Sequence, residues 1–422
     1  MKFSSEETLL NEFVQSDIAD SRKYEIAKIL ERNREIKELL IERIQSVNQL
    51  SKDCSSYLNE YVEIDFQYTR KIAQATTADE IIFEFQKFQD EIAADPIVLT
   101  VANQQRVNNT EKPVETFNQY LDALDKVGVL EKKKELILNF QEIDQIYKQY
   151  AIQRDVISSI EKHAPNMKEL QSLTIKGISS QDIQNTLFVA LPDLRQNKIK
   201  NLSVEGFATD VLENLSQKMP YIEKLELSEA KRRDGSQIYQ MQPYSLSLEE
   251  LAKLKNIKSL GLVNVGLQEI PKEIFSLRKL ENLDVSRNQI KELPRMLEYK
   301  GIKALVLDKN ELTSTKHLPC TTLRELSIRN NKINTLDERF VGFMAISEMT
   351  MGADKKELIQ AIQMQGNAIT FKSLPQDMWK DLVSIVEVEK IAKNLGMNNM
   401  EKEKLNNLFS SLSQNQHKSL TI

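Results

Sequence analysis

The residue types that most often carry chemistry are few and scattered in this sequence. The three histidines, His163, His317 and His417, have no metal-ligating neighbour at helical or turn spacing. The two cysteines, Cys54 and Cys320, are far apart and lie in segments of different kinds. The chain contains neither a glycine-rich phosphate loop nor a G-x-S-x-G sequence. The sequence therefore nominates no catalytic residue, no metal site and no cofactor.

Composition places the chain among soluble globular proteins of two or three domains. Of its 422 residues, 41% are hydrophobic and 28% are charged, and a net charge of −5 gives no basic field for nucleic acid. No apolar run approaches the roughly 20 residues that a membrane span needs. The first residues, MKFSSEETLLNEFVQSD, lack the apolar core of a secretory signal. Two distant cysteines argue against a disulfide framework and indicate a reducing compartment.

The first 164 residues predict an elongated helical bundle or coiled coil. Neither glycine nor proline occurs before Pro96. From residue 20 to about residue 75, apolar side chains recur at steps of three and four, which is helical spacing. One uninterrupted helix over this range would be a rod of roughly 80 Å.

Further helices are predicted from their start and stop signals. A capping-box pattern at Thr77–Glu80 indicates a helix that ends before Pro96. Pro113 fits the first turn of the next helix, and Gly128 fits its C-terminal cap. A last long helix is expected over residues 131–163.

A repeated pattern follows, and its period fits neither helix nor strand. In LENLDVSRNQIKELP, residues 280–294, a strand-like piece precedes the polar Asn288 and a second apolar cluster. Strong copies begin at Ile257, Leu280, Ile302 and Leu323, with spacings of 23, 22 and 21 residues. Weaker copies begin at Leu170, Ile199, Ile222 and Ile359. Such sustained register indicates stacked supersecondary units.

The template of these copies, L-x-x-L-x-L-x-x-N-x-L, resembles that of the leucine-rich-repeat family over residues 165–370. The resemblance implies an α/β solenoid in which each unit adds a short strand to a parallel sheet, and the chain then turns inward. That buried turn would be filled by Asn288, Asn310, Asn331 and Asn367. An amide both donates and accepts, so stacked asparagines can satisfy backbone groups that no neighbouring strand reaches. Val265 occupies the same position in its own repeat.

The solenoid is expected to be irregular and to end in helices. SQDIQNTLFVAL and DERFVGFMAISEM predict helices on its back, and KRRDGSQIYQMQPYS is a polar insertion. Residues 371–422 predict a helical cap and a polar tail, because the last open core of a solenoid needs covering. Leu374-Pro375, Leu382 and Ile385 also resemble an F-box, the helix that docks a ubiquitin-ligase scaffold. The predicted class is a multidomain α+β protein with domains 1–164, 165–370 and 371–422.

With no chemistry to assign, the exposed positions around the strands become the candidate site. The resemblance implies that they face solvent on the concave side, the customary binding surface of the family. Early repeats are acidic there and later ones are mixed to basic, which predicts a protein partner of opposite polarity. The predicted partner-binding residues are Glu226, Asp284, Ser286, Arg287, Asp308, Lys309, Arg329 and Asn330. Charges that merely solvate the sheet are the alternative interpretation.

The whole architecture resembles leucine-rich-repeat effectors that intracellular bacteria inject into host cells. The end of the chain, EKEKLNNLFSSLSQNQHKSLTI, has small polar residues and Leu420 near its terminus, and is similar to type IV secretion signals. Bacterial leucine-rich-repeat ubiquitin ligases carry a C-x-D nucleophile motif, which neither Cys54 nor Cys320 matches.

The expected function is therefore non-enzymatic recognition of a host protein. The expected location is the host cytoplasm, reached without a classical signal peptide, and neither a nucleic-acid partner nor a membrane span is expected. A cytoplasmic scaffold unrelated to infection and an F-box-like adaptor are the alternatives. The sequence leaves the oligomeric state open.

Overall fold

Two compact units make up the chain in the computed structural model. Unit 1 comprises Met1–Ile222 and Ala230–Ile238, and unit 2 comprises Glu223–Glu229 and Tyr239–Ile422. The structure describes residues 3–55, 67–102, 111–142, 146–176, 191–205, 212, 214–228, 248–349 and 361–419. The predicted helix in SQDIQNTLFVAL, except its last residue, the insertion KRRDGSQIYQMQPYS and Leu420 lie outside these residues.

Unit 1 combines helices with a parallel sheet. Its described helices are α1 Phe3–Phe13, α2 Asp20–Arg32, α3 Arg34–Ser55, α4 Gln67–Gln74, α5 Ala78–Ala94, α6 Glu111–Lys126, α7 Ile146–His163 and α8 Leu215–Lys218. Its strands are β1 Ile97–Ala102, β2 Glu135–Glu142, β3 Ser172–Lys176 and β4 Asn201–Glu205, in that order across the sheet. Helix α2 packs on α5 and α3 packs on α6, through side chains such as Leu30 and Phe85 that are fully buried.

The predicted continuous rod over residues 20–75 is wrong. Asn33 has extended backbone dihedrals, φ −112° and ψ 100°, and separates α2 from α3. Its side-chain Oδ1 accepts hydrogen bonds from Glu35 N at 3.0 Å and Ile36 N at 3.3 Å. Asparagine thus satisfies amides that the first turn of α3 leaves unpaired, which makes the break favourable.

The predicted helix over residues 131–163 is also wrong in its first half. Residues Glu135–Glu142 form β2, which pairs in parallel with both β1 and β3. Leu136, Leu138 and Phe140 are buried with a period of two, as a strand requires. The helical pattern holds only from Ile146, where α7 begins. Residues 1–164 are therefore helical and β together, and their sheet continues into β3.

Two local signals in unit 1 are confirmed. Thr77 and Glu80 form the predicted capping box at the start of α5. Gly128 follows α6 with φ +67°, in the left-handed region that favours glycine.

A buried lysine ends α5. The Lys133 side chain is only 1% exposed, and its Nζ donates to the carbonyl oxygens of Ile92 and Asp95, the latter at 2.7 Å. These carbonyls lie at the helix C-terminus, where the helix leaves acceptors unpaired. Burial lowers the pKa of the Lys133 ammonium to about 8.

Unit 2 contains the regular repeats. Its strands are β5 Lys224–Ser228, β6 Ser259–Val263, β7 Asn282–Asp284, β8 Ala304–Val306, β9 Glu325–Ser327 and β10 Ala361–Gln363, all parallel and in chain order. Short 3₁₀ turns, Leu248–Lys253, Lys272–Ser276 and Arg295–Tyr299, connect the earlier strands. Helix α9, Glu338–Met349, follows β9 as predicted. A parallel sheet with helical connections at a period of 21–23 residues is an α/β solenoid.

Three helices follow the last repeat: α10 Gln376–Ile385, α11 Val388–Leu395 and α12 Asn399–Ser419. Met364, directly after β10, donates its backbone N–H to the carbonyl oxygen of Asn394 in α11 at 3.1 Å. Leu374 and Leu382, which an F-box would offer to a scaffold, are 4% and 1% exposed. Because these side chains already pack within unit 2, the F-box interpretation loses its apolar contact surface.

The predicted domain limits at 164/165 and 370/371 stay predictions, because only separate expression of the segments tests them. Strand β2 lies before residue 165 and pairs with β3 after it. We therefore expect residues 1–164, expressed alone, to leave one edge of β2 without its partner.

Candidate functional site

The sheet of unit 2 aligns side chains from successive repeats into rows. Glu226 pairs with Gly261, Gly261 with Asp284, Asp284 with Val306, and Val306 with Ser327. These side chains alternate along their strands with buried leucines such as Leu283 and Leu305. We call the side that they occupy the open face of unit 2.

The predicted asparagine ladder fixes this register. Asn310 Nδ2 donates to the carbonyl oxygens of Val285 and Leu307 at 2.9 and 3.0 Å, and its Oδ1 accepts from Ile290 N at 3.0 Å. Each amide thus joins its own repeat to the preceding one. Equivalent bonds are made by Asn288, Asn331 and Asn367. The ladder is confirmed.

The ladder also serves the repeat that lacks an asparagine. Asn288 Oδ1 accepts from the backbone N–H groups of Val265 and Leu267, both at 3.0 Å. Val265 is itself 4% exposed and occupies the asparagine position of its repeat. One buried amide therefore satisfies the turn of its neighbour, so an apolar residue is tolerated there.

The residue before each ladder position has a left-handed backbone. We call this set the left-handed row: Asn264, Arg287, Lys309, Asn330 and Gly366, with φ between 55° and 80°. Sequence reasoning selected Arg287, Lys309 and Asn330 for their charge or polarity and missed this conformation. Asparagine and glycine, which adopt φ > 0 most readily, at three of the five positions were the available signal.

Two predicted contact residues are buried rather than exposed. Ser286 and Asp308 are each 8% exposed. Asp308 Oδ1 accepts from Ser327 Oγ at 2.6 Å and from Arg329 N at 2.8 Å, and Oδ2 accepts from Arg329 Nε at 2.8 Å. The carboxylate of Asp308 and the guanidinium of Arg329 therefore neutralise each other within the protein. The prediction that Asp308 is an exposed contact residue is corrected, and Ser327 is the partner that sequence reasoning missed.

At the acidic end of the predicted strip, Glu226 and Asp284 flank a strand without a side chain. The Glu226 Cγ atom would lie 3.2 Å from a Cβ at Gly261, so the Glu226 side chain lies over β6. Its carboxylate is 3.6 Å from Lys224 Nζ. Asp284 Oδ1 accepts from Ser286 N at 2.9 Å. Both carboxylates keep their place at the open face, half-buried.

Because Arg329 is tied to Asp308, its charge reversal will affect folding. We expect Arg329→Glu to lower the free energy of unfolding by about 1–3 kcal/mol, since it leaves the buried Asp308 carboxylate unpaired beside a second negative charge. Arg287→Glu is the matched control and should change stability by less than about 0.5 kcal/mol, because its side chain is exposed. Urea melts of both variants provide the measurement. Equal stability of the two would show that the Asp308–Arg329 pair contributes nothing.

A second ionic cluster joins three connections of unit 2. Glu298, whose side chain is 6% exposed, accepts from Arg339 Nη1 at 2.5 Å and also contacts Arg339 Nη2 and His317 Nδ1. Hydrogen bonds from Arg339 and His317 lower the pKa of Glu298 to about 2. His317, which looked isolated in the sequence, is therefore part of an ion-pair network and has φ +68°.

This cluster predicts acid sensitivity of a defined sign. The folded-state pKa of Glu298 lies below its ordinary value of 4.5, so its stabilisation is complete above pH 4.5 and is lost as pH falls towards 2. Wild-type protein should melt at a higher temperature than Glu298→Gln at neutral pH, and the gap should narrow below about pH 4.5. Thermal melts from neutral to acidic pH measure the gap, with the exposed Glu292→Gln as control. A gap that stays constant would assign the effect of the substitution to something other than charge.

Catalytic chemistry finds no support in the residues that the structure describes. Burial raises the pKa of both thiols, Cys54 and Cys320, to about 12, which disfavours the reactive thiolate. Among the described residues, no group of His, Cys, Asp and Glu side chains is arranged to hold a metal ion. The same part of the chain has no helix that combines the length and the apolar character needed to cross a bilayer.

Comparison with known proteins identifies leucine-rich-repeat relatives. No protein-family model matches the chain. A stretch of 178 residues is 29% identical to the rat (Rattus norvegicus) volume-regulated anion channel subunit LRRC8D and covers 40% of this chain and 19% of that protein. The human subunit LRRC8E is 26% identical over 176 residues, which cover 40% of this chain and 20% of that protein. The chain thus spans about a fifth of the length of these relatives.

The solved structures that resemble this chain are bacterial leucine-rich-repeat proteins. InlP of Listeria monocytogenes is 16% identical, with 52% of this chain and 54% of that chain covered and a TM-score of 0.32. A leucine-rich-repeat protein of Leptospira interrogans is 18% identical, with 77% and 96% covered and a TM-score of 0.31. The chain is thus similar to leucine-rich-repeat proteins, whose repeats are protein-interaction modules.

Proposed function

We propose that this protein recognises a protein partner through the open face of unit 2. The observation that carries the proposal is the row geometry. The ladder bonds of Asn310 and its counterparts hold successive strands in register, so side chains from different repeats form one continuous polar surface. Polar and charged groups fixed in register favour specific recognition and electrostatic steering of a partner. The channel activity in the names of the relatives is not part of the proposal, since about four-fifths of those proteins has no counterpart in the match.

The predicted contact set becomes narrower in the light of the structure. We propose that Arg287, Lys309 and Asn330, which are exposed, make direct contact with the partner. Glu226 and Asp284 contribute the acidic end of the surface. Ser286, Asp308 and Arg329 position the others, because their polar groups are already engaged within unit 2. The C-terminal helices α10 to α12 are proposed to cap the last repeat, and the helices of unit 1 to form a separate module.

The proposed biological role is that of a bacterial effector that acts on a host protein. It is supported by the resemblance of the architecture and of the last residues to secreted leucine-rich-repeat effectors. A cytoplasmic scaffold unrelated to infection is the second candidate. A secretion assay on the chain without its last 20 residues separates the two roles, because only the effector role requires the C-terminal signal.

Site-specific cross-linking tests the proposed binding surface directly. A photo-crosslinking residue is placed in the full chain at Ala304, on the open face, or at Met296, which is 59% exposed on the 3₁₀ turn Arg295–Tyr299. A partner isolated by pull-down with the full chain should be captured from Ala304 and not from Met296. Capture from Met296 alone would move recognition away from the open face.

A further inference from the structure

The left-handed row contains two residues that its conformation does not favour. Three of its members, Asn264, Asn330 and Gly366, are of the types that adopt positive φ most readily. Arg287 and Lys309 have φ of 60° and 56° without that tolerance. Strained backbone at adjacent positions points towards function when the surrounding structure enforces it.

The surrounding structure does enforce this conformation. Arg287 N donates to the Asp308 carbonyl oxygen at 2.7 Å, and Lys309 N donates to the Arg329 carbonyl oxygen at 2.8 Å. Both backbones are thus held by the next repeat, and the two side chains project from neighbouring strands about 5 Å apart. The spacing places two like charges side by side, which is unfavourable for the isolated protein.

The positive charge of this pair is not compensated within the described part of the chain. Both side chains are exposed, and neither has an ion pair or side-chain hydrogen bond to any residue that the structure describes. The buried carboxylate of Asp308 is engaged by Arg329, and Asp284 directs one oxygen to Ser286 N. The pair therefore remains available to an external anion.

We propose that Arg287 and Lys309 bind two carboxylates of an acidic helix in the protein partner. The inference rests on the proposed function and adds the chemistry of the contact. Carboxylates four residues apart on a helix have Cβ atoms about 5–6 Å apart, which matches the spacing of neighbouring strands. The basic pair contributes charge-assisted hydrogen bonds to these carboxylates, and the like-charge repulsion of the free protein is relieved on binding.

Substitution by asparagine separates binding from folding. Arg287→Asn/Lys309→Asn keeps a residue type that Asn264 and Asn330 already provide in the same conformation. The matched control is Lys272→Gln/Arg295→Gln, which removes one lysine and one arginine from exposed positions after Pro271 and Pro294 in adjacent repeats. Both variants lose the same charge.

The probe is a dye-labelled, alanine-rich helical peptide with glutamates at i and i+4, and fluorescence anisotropy with the full chain is the readout. We expect the asparagine variant to weaken binding by at least about tenfold at low salt, the control variant to match wild type, and added salt to weaken wild-type binding. The asparagine variant should melt at or above the wild-type temperature, because strain and repulsion are both relieved.

Four outcomes overturn the proposal. They are unchanged affinity in the asparagine variant, a lower melting temperature of that variant, equal binding of a glutamine version of the peptide, and no peptide binding by wild type. Tighter binding of a single-stranded oligonucleotide of equal charge would assign the pair to nucleic acid instead. The cross-linking test at Ala304 uses the isolated partner, so the open face can be upheld even when the acidic-helix proposal fails.

Discussion

Asn310→Ala is expected to lower the free energy of unfolding of unit 2 by about 3–5 kcal/mol, because three buried backbone groups lose their hydrogen bonds at once. The carbonyl oxygens of Val285 and Leu307 lose their donor, and Ile290 N loses its acceptor. The Asn310 side chain is 6% exposed, so water has little access to replace it. No neighbouring strand can supply the missing partners, since these groups lie in the inward turn.

Urea denaturation followed by far-UV circular dichroism provides the measurement. Asn282→Ala is the matched control, because Asn282 lies in β7 but is exposed, and it should change stability by less than about 0.5 kcal/mol. Asn310→Asp separates the two halves of the amide, since it keeps an acceptor for Ile290 N and loses the donors. An Asn310→Ala variant as stable as Asn282→Ala would refute the ladder as a source of stability.

Gly128→Ala is expected to be the most damaging single-methyl change in unit 1. A Cβ atom at this position would lie 2.0 Å from the Val14 carbonyl oxygen and 2.9 Å from the Val14 carbonyl carbon. Both are backbone atoms, so a side-chain rotation cannot relieve the clash. The backbone also has φ +67°, which disfavours any residue with a Cβ. We expect a loss of more than about 4 kcal/mol, or failure of unit 1 to fold.

The control for this substitution is Gly342→Ala. No atom lies within 4 Å of a Cβ at Gly342, which is in helix α9. Alanine should therefore raise stability by about 1 kcal/mol through its higher helix propensity. Thermal melts of both variants, with limited proteolysis to follow unit 1 separately, give the comparison. A soluble Gly128→Ala protein with wild-type melting would contradict the close approach of Val14.

The sequence by itself determined the features that depend on neighbours along the chain. The period of 21–23 residues located the strands of unit 2, and the chemistry of the amide identified Asn288, Asn310 and Asn331 as buried. The capping box at Thr77 was equally predictable, because its donors and acceptors lie within four residues.

The candidate site was predictable in position but not in its pairing. Charge patterns indicated Asp308, Lys309 and Arg329, yet Asp308 and Arg329 bind each other across 21 residues of sequence. Solvent-facing spacing describes which side of a strand a residue occupies and carries no information about which side chain the next repeat places beside it. Only Lys309 of these three is left exposed without an ion pair among the described residues.

Tertiary structure alone decided several elements of unit 1. Leu136, Leu138 and Phe140 fit a short apolar run that a helix or a strand could use, and pairing with β1 and β3 made it a strand. Lys133 has the composition of a surface residue, yet distant carbonyls of α5 hold it in the core. Hydrophobic periodicity reports which residues share a face, whereas hydrogen-bond partners distant in sequence exist only once the chain has folded.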